Sequence, residues 1–341
     1  MGLRAFIIKR AIFSVFLILF VITLNFVIFD LMPGDPWQVF IHPDFDKYQI
    51  EAISHAWGLD QAMHVRYLKY VQNLLTWQFG TSFRSGSSVA DEMTSRLTNT
   101  LSLVGIATVL TILIGIPLGA ISAFKRGKLI DTLLVTISTI LNAFPAFWMG
   151  MMLLLGFAFT LRWFPSSGNI PPAWAGGNWP TPLWVGEIAN IRLAIPSPLE
   201  ILGRLHHLVL PVAALVIVSY GSWLLFARAT VMEVLTEDYI VTARAKGLKE
   251  RTVLFKHALK NASLPLVTSV AISFGFLIGG AIITEQVFTY PGMGEWIWRS
   301  ISMQDYPVMQ AIFYVIAICV ILANFTADLI YGIIDPRIKY R

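Results

Sequence analysis

The sequence predicts an all-α membrane protein with six transmembrane helices and both termini on the cytoplasmic side. Three observations carry this prediction: six long uncharged stretches, a composition that is 56% hydrophobic and only 13% charged, and an excess of Lys and Arg in alternate loops. In a soluble domain about a quarter of the residues are charged. The lipid bilayer is therefore the expected solvent of this chain.

Each uncharged stretch runs for roughly twenty to thirty residues, and about 20 apolar residues are enough to cross the hydrocarbon core as a helix. The predicted spans are 11–29, 97–124, 132–161, 205–227, 261–284 and 306–327. A further uncharged run, 163–186, contains five prolines and is predicted to be a loop. Irregular backbone exposed to lipid would leave its polar groups without hydrogen bonds.

Glycine and proline interrupt several of these spans. Gly115, Pro117 and Gly119 lie in the second span, and Asn142 and Pro145 lie in the third. Small residues let helices approach closely, and proline frees backbone groups that neighbouring residues must satisfy. The sequence therefore predicts a closely packed bundle in which some helices bend.

The distribution of basic residues predicts the orientation. Lys and Arg concentrate in the loops after the second, fourth and sixth spans, whereas segment 31–96 has seven acidic and five basic residues. Cytoplasmic loops of membrane proteins carry an excess of Lys and Arg. The predicted organisation is a first transmembrane helix within 1–30, an extracytoplasmic segment 31–96, a five-helix core 97–333 with an extracytoplasmic loop 163–203 and a cytoplasmic loop 229–260, and a cytoplasmic tail 334–341.

The sequence offers no candidate for a catalytic, nucleotide or metal site. The run 127–129 lacks the glycine spacing and the hydroxyl of a phosphate-binding loop. The lone Cys319 excludes an intrachain disulfide and a thiolate cluster. His206 and His207 are adjacent on a predicted helix, where neighbours point in different directions. We therefore predict no catalytic residue, no metal and no bound cofactor in this chain. We also predict no nucleic-acid partner, because the net charge of +5 is explained by the Lys and Arg of the cytoplasmic loops.

Two other classes of protein compete with a transport subunit driven by a partner. An ion-driven carrier buries Asp, Glu or Lys inside its spans, whereas Asp30, Arg228, Glu285 and Asp328 all flank predicted span ends. A receptor or scaffold fits the large segment 31–96 but leaves the glycine and proline interruptions unexplained. The sequence favours a subunit that receives its work from another polypeptide.

The cytoplasmic segment 237–260 is the predicted receiver of that work. Its small residues Ala243, Ala245 and Gly247 are expected to clear the surface of bulky groups, and a helix is predicted over 248–260. The apolar side of that helix is predicted to consist of Val253, Leu254, His257 and Ala258. This side suits docking into a groove on a soluble partner, and a helix resting on anionic lipid is the alternative.

At this segment the sequence resembles a known family. The residues that carry the resemblance here are Asp238-Tyr239-Ile240, Thr242-Ala243-Arg244-Ala245-Lys246-Gly247-Leu248 and His257-Ala258-Leu259-Lys260-Asn261. Others follow the same order along the chain, at 31–36, 80–84, 89–92, 99–101, 115–119, 163–168, 285–288, 291–294, 305–307 and 335–338. Together they resemble permease subunits in the oligopeptide, dipeptide and nickel branch of binding-protein-dependent ABC importers, which have the type I importer fold.

The resemblance implies a set of partners and a location. The chain would sit in a prokaryotic plasma (inner) membrane and pair with a second, related permease. Two ATPases would bind ATP and magnesium below the pair, and an extracytoplasmic binding protein would deliver the substrate. The residues implied to insert into an ATPase cleft are Thr242, Ala243, Arg244, Ala245, Lys246, Gly247 and Leu248.

The resemblance leaves the substrate open. Val241-Thr242-Ala243 stands where the broader importer signature has Glu-Ala-Ala, as is usual for this branch. The loop 163–202 is longer and richer in Trp and Pro than in compact peptide permeases. Peptides are the first expectation, oligosaccharides the second, and nickel or an opine follow.

Two further groups of residues are candidates for function. The turn Pro33-Gly34-Asp35-Pro36 can rigidly redirect the chain after the first helix. With short helices predicted over 49–57 and 63–77, it is expected to form a cap that meets the binding protein, or else simply to pack as a loop. Ser138, Asn142 and Ser273 are polar groups within spans. They either line the pathway or form hydrogen bonds between helices.

Overall fold

The computed structural model of the chain describes residues 3–30, 48, 61–171, 183–188, 191–195, 197–275 and 281–334. In chain order the elements are α1 Leu3–Asp30, α2 Met63–Leu75, α3 Val89–Phe124, α4 Leu129–Asn142, α5 Ala146–Leu153 with a π-helical continuation Leu154–Thr160, β1 Leu183–Ile188, β2 Ile191–Ile195, α6 Pro198–Leu235, α7 Asp238–Ala245, α8 Glu250–Thr252 with a π-helical continuation Val253–Ala258, α9 Leu259–Gly275, α10 Ile282–Val287, α11 Met293–Met303 and α12 Tyr306–Ile334.

The apolar helices agree with the predicted spans. Four are long and apolar enough to cross a membrane: Phe6–Phe29, Val89–Phe124, Pro198–Leu235 and Tyr306–Thr326. The bent pair Leu129–Asn142 and Ala146–Thr160 gives a fifth span if it is counted as one. The predicted span 261–284 begins on α9, which has 17 described residues, and continues through 276–280, outside the described residues. The described part of the chain thus contains four or five spans.

The helix over the predicted span 132–161 is sharply bent. The axes of its two parts differ by 94° across a short break that ends at Pro145. Proline has no N–H to donate and disfavours helical geometry in the preceding residue, so α4 ends before it and α5 begins after it. The bend expected from Asn142 and Pro145 is therefore confirmed.

The chain divides into two compact units. The first comprises Met1–Thr98, Phe274–Gly280 and Gly292–Arg341, and the second comprises Asn99–Ser273 and Ala281–Pro291. In the first unit α1 packs along α12, and the Asn25 amide donates to the Gln310 carbonyl oxygen at 3.1 Å and to the Tyr70 hydroxyl at 2.8 Å. The helix predicted over 63–77 is confirmed as α2, which places Tyr67 and Tyr70 against Phe26.

In the second unit glycine lets α3 and α4 lie against α6. A Cβ atom added at Gly115 would lie 2.5 Å from Trp223 Cβ and 2.7 Å from the Tyr220 carbonyl oxygen, and one added at Gly119 would overlap the Leu224 carbonyl oxygen. Gly221 of α6 meets the backbone of Ser138 on α4 in the same way. The predicted close packing at Gly115 and Gly119 is confirmed.

The described elements agree with the all-α prediction apart from one local addition in the loop 163–203. It contains a two-stranded antiparallel hairpin in which β1 pairs with β2, with an irregular register between Trp184 and Gly186. The sequence there has two short runs rich in Val, Leu and Ile separated by two residues, a pattern typical of a hairpin. The prolines that precede it led to the prediction of irregular structure, which was incomplete.

The close approach of α3 to α6 predicts that a Gly→Ala substitution in α3 destabilises the protein only where the glycine faces α6. Gly119→Ala should destabilise the protein by about 1–3 kcal/mol, because the added methyl group meets α6 backbone that cannot move aside. Gly105→Ala in the same helix is the matched control, since a Cβ there meets nothing within 4 Å. Thermal unfolding in detergent checks the difference. Equal melting temperatures for the two variants would contradict the described packing.

Candidate functional site

A turn at residues 236 and 237 separates α6 from the short helix α7, which ends in a Schellman cap. Gly247 N–H donates to the Arg244 carbonyl oxygen at 2.9 Å, and Leu248 N–H donates to that of Ala243 at 3.4 Å. Gly247 has a φ of 72°, which glycine adopts without steric cost. The helix break predicted at Gly247 is confirmed, and the cap gives α7 a defined end.

The inner side of α7 is buried in an apolar cluster of the second unit. Ile240 is fully buried and Ala243 nearly so. The members of this junction cluster are Ala120, Ala123, Val231, Ile240, Ala243, Val253, Leu254, Ala258 and Ala262. They come from α3, α6, α7, the π-helical segment Val253–Ala258 and α9. The cluster therefore fixes α7 to three longer elements.

The junction cluster corrects one prediction about the docking face. Val253, Leu254 and Ala258 were expected to face a soluble partner, but they are buried against this chain. The helix predicted over 248–260 begins at Glu250 and continues into α9 instead of ending. An apolar stripe is buried by whatever cover lies nearest, and here the chain itself supplies it. Ala243 also faces inward, so it does not contribute to an open surface.

The outer side of α7 and its cap remain exposed. We define the α7 surface as the exposed residues Thr242, Ala245, Lys246, Gly247 and Leu248. Beside it the Arg244 guanidinium pairs with the Glu250 carboxylate, with Nε and Oε1 3.1 Å apart. This ion pair bridges the Gly247 turn. Both side chains are about half exposed, so the pair orients the turn more than it stabilises the fold.

Close to α7, one carboxylate joins three helices of the second unit. Asp131 of α4 is buried and accepts hydrogen bonds from Arg228 of α6, at 2.8 Å from Nε and 3.0 Å from Nη2. It also accepts from the Ser122 hydroxyl of α3 at 2.5 Å and from the Gly127 N–H at 3.0 Å. We call this group the Asp131 hub. Sequence reasoning missed it, because 97 positions separate Asp131 from Arg228.

The predicted pathway residues lie in different surroundings. Ser138 is buried and donates to the Val135 carbonyl oxygen at 3.0 Å, and Ser273 donates to that of Val270 at 2.7 Å. Asn142 is exposed at the α4–α5 bend, where its Oδ1 accepts from the Ser222 hydroxyl at 3.4 Å. Ser222 was not predicted, although a polar residue within an apolar span is a usable signal.

Aromatic rings flank the exposed Asn142. Phe144 and Trp148 stack with ring centroids 4.7 Å apart and planes 11° from parallel. Both rings are partly exposed. The α4–α5 bend thus presents an amide, a hydroxyl and two aromatic faces on the surface of the second unit.

Several of the short segments that carry the family resemblance contact one another within each unit. In the first unit Asp305 accepts from the Ser82 hydroxyl at 2.5 Å and from the Phe83 N–H at 3.2 Å. In the second unit the Asn99 amide donates to the Pro291 carbonyl oxygen at 2.8 Å, and the Thr100 hydroxyl donates to the fully buried Glu285 at 2.7 Å. The Asp305 contacts join two loops, the Asn99 contact joins a helix to a loop, and the Thr100 contact joins two helices.

Two histidines also hold a loop in the second unit. The rings of His206 and His207 contact the carbonyl oxygens of Trp163 and Ser167 at 3.0 and 3.1 Å. Nearby, the Tyr290 hydroxyl donates to the Asn99 carbonyl oxygen at 3.4 Å, and burial raises the pKa of that phenol. Among the described residues no group of three or more His, Cys, Asp and Glu has the arrangement of a metal site.

The predicted cap residues Pro33, Gly34, Asp35 and Pro36, and the short helix predicted over 49–57, lie outside the described residues.

In the first unit near the start of α3, Arg96 pairs with Glu92 at 2.8 Å and with Glu295 at 2.5 Å, and its guanidinium lies 5.0 Å from the Trp296 ring centroid. This ion-pair group fastens α11 to the start of α3.

Comparison with known families identifies the chain. Residues 115–340 match the model of the binding-protein-dependent transport system inner membrane component, and residues 3–104 match the model of the N-terminal part of such membrane components. The chain belongs to this family of permeases. The resemblance found in the sequence is thereby confirmed. The chain is a multi-pass protein of the inner membrane and a component of a transport system.

The permease is similar over its whole length to characterised relatives. It is 36% identical over 339 residues to the oligopeptide transport system permease protein AppB of Bacillus subtilis, covering 99% of this chain and 100% of the relative. It is 33% identical over 336 residues to the glutathione transport system permease protein GsiC of Salmonella paratyphi A, covering 98% and 99%. GsiC of Escherichia coli K12 is 34% identical over the same length and coverage.

The burial of α7 predicts that two adjacent residues of the permease respond differently to truncation. Ile240→Ala removes a fully buried side chain from the junction cluster, and the cavity should destabilise the anchoring of α7 by about 2–5 kcal/mol. Val241→Ala is the control, since Val241 is 59% exposed. Amide hydrogen exchange over 238–248 should accelerate strongly in the first variant only. Equal exchange in both would refute the anchoring of α7 by Ile240.

Proposed function

We propose that this permease forms half of the translocation pathway of an ATP-driven importer of peptides. The observation that carries the proposal is the full-length similarity to permeases named for oligopeptide and glutathione transport. Glutathione is itself a peptide, so both names indicate the same class of substrate. We further propose the six-helix topology with both termini in the cytoplasm, which the loop charges and the matched family support.

The proposed assembly contains this chain, a second related permease, two ATPases and an extracytoplasmic binding protein. ATP and magnesium would bind to the ATPases, and this chain would perform no catalysis. The proposed domain limits are those expected from the sequence, with the core at 97–333 and the cap at 31–96. Pro33, Gly34, Asp35 and Pro36 would belong to the surface that meets the binding protein.

The proposed contact with an ATPase is the α7 surface. A joint that transmits displacement must be exposed to its partner and rigidly held by its own chain. The α7 surface meets the first condition because its small residues Ala245 and Gly247 leave the backbone open to approach. It meets the second because Ile240 and Ala243 are buried behind it and the Schellman cap fixes its end. Rocking of the two permeases would follow ATP-driven movement at this joint.

We propose that Asn142 and Ser222 line the pathway. An exposed amide in an apolar span is unfavourable in lipid unless it faces protein or water. Asn142 and Ser222 hydrogen-bond each other and keep further donors and acceptors for the backbone amides of a peptide. Ser138 and Ser273 bond to carbonyl groups of their own helices, which makes them secondary candidates.

Docking through the α7 surface predicts that a bulky residue there blocks assembly without unfolding the permease. Ala245→Trp should abolish co-purification of the ATPases and peptide uptake, because the ring fills the space that the small residue leaves. For ATPase binding alone, Ala62→Trp is the matched control, since this exposed alanine lies in the segment 31–96 and not on the α7 surface. Pull-down of tagged ATPases and thermal stability of the permease are measured together. Normal ATPase binding by stable Ala245→Trp would rule out this docking site.

A pathway role for the Asn142–Ser222 pair predicts reduced uptake from small polar-to-apolar changes. Asn142→Leu and Ser222→Ala should each reduce uptake of a radiolabelled pentapeptide about fivefold, because each loses a hydrogen bond worth about 1 kcal/mol. Thr132→Val is the control, since the exposed Thr132 lies far from the bend and its hydroxyl bonds to the Lys128 carbonyl oxygen. Uptake equal to the wild type in both pathway variants, with ATPase assembly intact, would sink the assignment.

A further inference from the structure

We propose that Asp131 is a positioning residue for transport, which clamps α4 to α6 so that displacement of α7 reaches the α4–α5 bend. The inference rests on the proposed function, because α7 is taken as the element that an ATPase moves. It concerns residues that lie outside the α7 surface and outside the proposed pathway.

The Asp131 carboxylate is saturated with hydrogen bonds. Its two oxygens accept four hydrogen bonds, two from Arg228 and one each from Ser122 and Gly127. The Arg228 contacts are bidentate, with Nε on one oxygen and Nη2 on the other. A bidentate guanidinium–carboxylate pair fixes direction as well as distance. The inner ends of α3, α4 and α6 are therefore held in one arrangement.

The Asp131 hub lies beside the junction cluster. Ser122 lies directly before Ala123, and Arg228 lies about one helical turn before Val231. Ala123 and Val231 both pack in the cluster that buries Ile240 and Ala243 of α7. The turns of α3 and α6 that contribute to the junction cluster around α7 are thus the turns that Asp131 holds.

The helix α4 connects the Asp131 hub to the α4–α5 bend. Asp131 lies in the first turn of α4, and Asn142 is its last residue. Along the helix Ser138 lies against Gly221 of α6, so α4 stays seated on α6 beyond the hub. In the proposed mechanism a displacement of α7 would move α3, α4 and α6 as one body. The first break in helical structure after the hub along α4 is the one before Pro145.

The character of the pair separates positioning from simple stabilisation. Replacing a buried ion pair by apolar residues is often neutral for stability, whereas removing one partner leaves an unpaired charge and destabilises the fold. Apolar contacts are non-directional and permit sliding. An apolar substitution of both partners should therefore restore stability without restoring the fixed arrangement of α4 and α6.

The test uses the assembled transporter in proteoliposomes. Asp131→Asn, the double variant Asp131→Leu/Arg228→Met and the control Glu200→Gln are compared with the wild type. Glu200 pairs with Arg204, and both lie on α6, the helix that carries Arg228. Uptake of a radiolabelled pentapeptide is measured per ATP hydrolysed. In a Cys319→Ala background, spin labels at the exposed positions Leu133 of α4 and Tyr239 of α7 report the distance between these helices with and without ATP.

The wild type and Glu200→Gln should show one narrow distance distribution in both nucleotide states. Asp131→Asn should broaden it and reduce uptake per ATP about tenfold, within the usual range of coupling effects, while hydrolysis continues. The double variant should recover thermal stability but not uptake per ATP, and it carries the test if Asp131→Asn fails to fold.

Two results would overturn the proposal: a narrow distribution in the variants, or recovery of uptake per ATP together with stability in the double variant. A wild-type transporter that ignores the pentapeptide would count against the proposed substrate alone. The distance measurement would still decide the role of Asp131.

Discussion

The burial of the inner side of α7 is the constraint on which the candidate site depends. Helices shorter than about 12–15 residues are marginal in water on their own, and α7 has eight. Its shape is therefore held by Ile240 and Ala243 in the junction cluster and by the cap at Gly247. The outer side presents small and polar groups together with the exposed side chains of Tyr239, Val241 and Leu248. Anchoring on its inner side would let this surface transmit the displacement proposed for an ATPase.

Small residues serve two different physical purposes in this permease. Gly115, Gly119 and Gly221 are needed because helix backbones come too close for a Cβ atom. Gly247 has open space around it and is needed because its backbone adopts a positive φ. The first group determines how tightly α3 and α4 lie on α6, and the second determines where α7 ends. One residue type thus contributes to both packing and chain direction.

The sequence predicted the features that depend on local pattern. Long uncharged runs predicted the apolar helices, Pro145 predicted the bend, and Gly247 predicted the end of α7. The direction of the apolar stripe at Val253 and Leu254 could not be predicted, because periodicity identifies a buried face without identifying what covers it. The pairs Asp131–Arg228 and Asn142–Ser222 join positions 97 and 80 residues apart. Only the tertiary fold brings such residues together.

The α4–α5 bend is consistent with the proposed role of this chain as one half of a translocation pathway. Backbone that leaves helical geometry at membrane depth is tolerated only where protein covers it or water reaches it. Around the bend Asn142, Ala143, Phe144 and Pro145 are exposed on this chain. Lipid is a poor environment for the exposed Asn142 amide. In the proposed assembly the bend would lie against another subunit or a water-filled pathway, and either would satisfy the exposed polar groups.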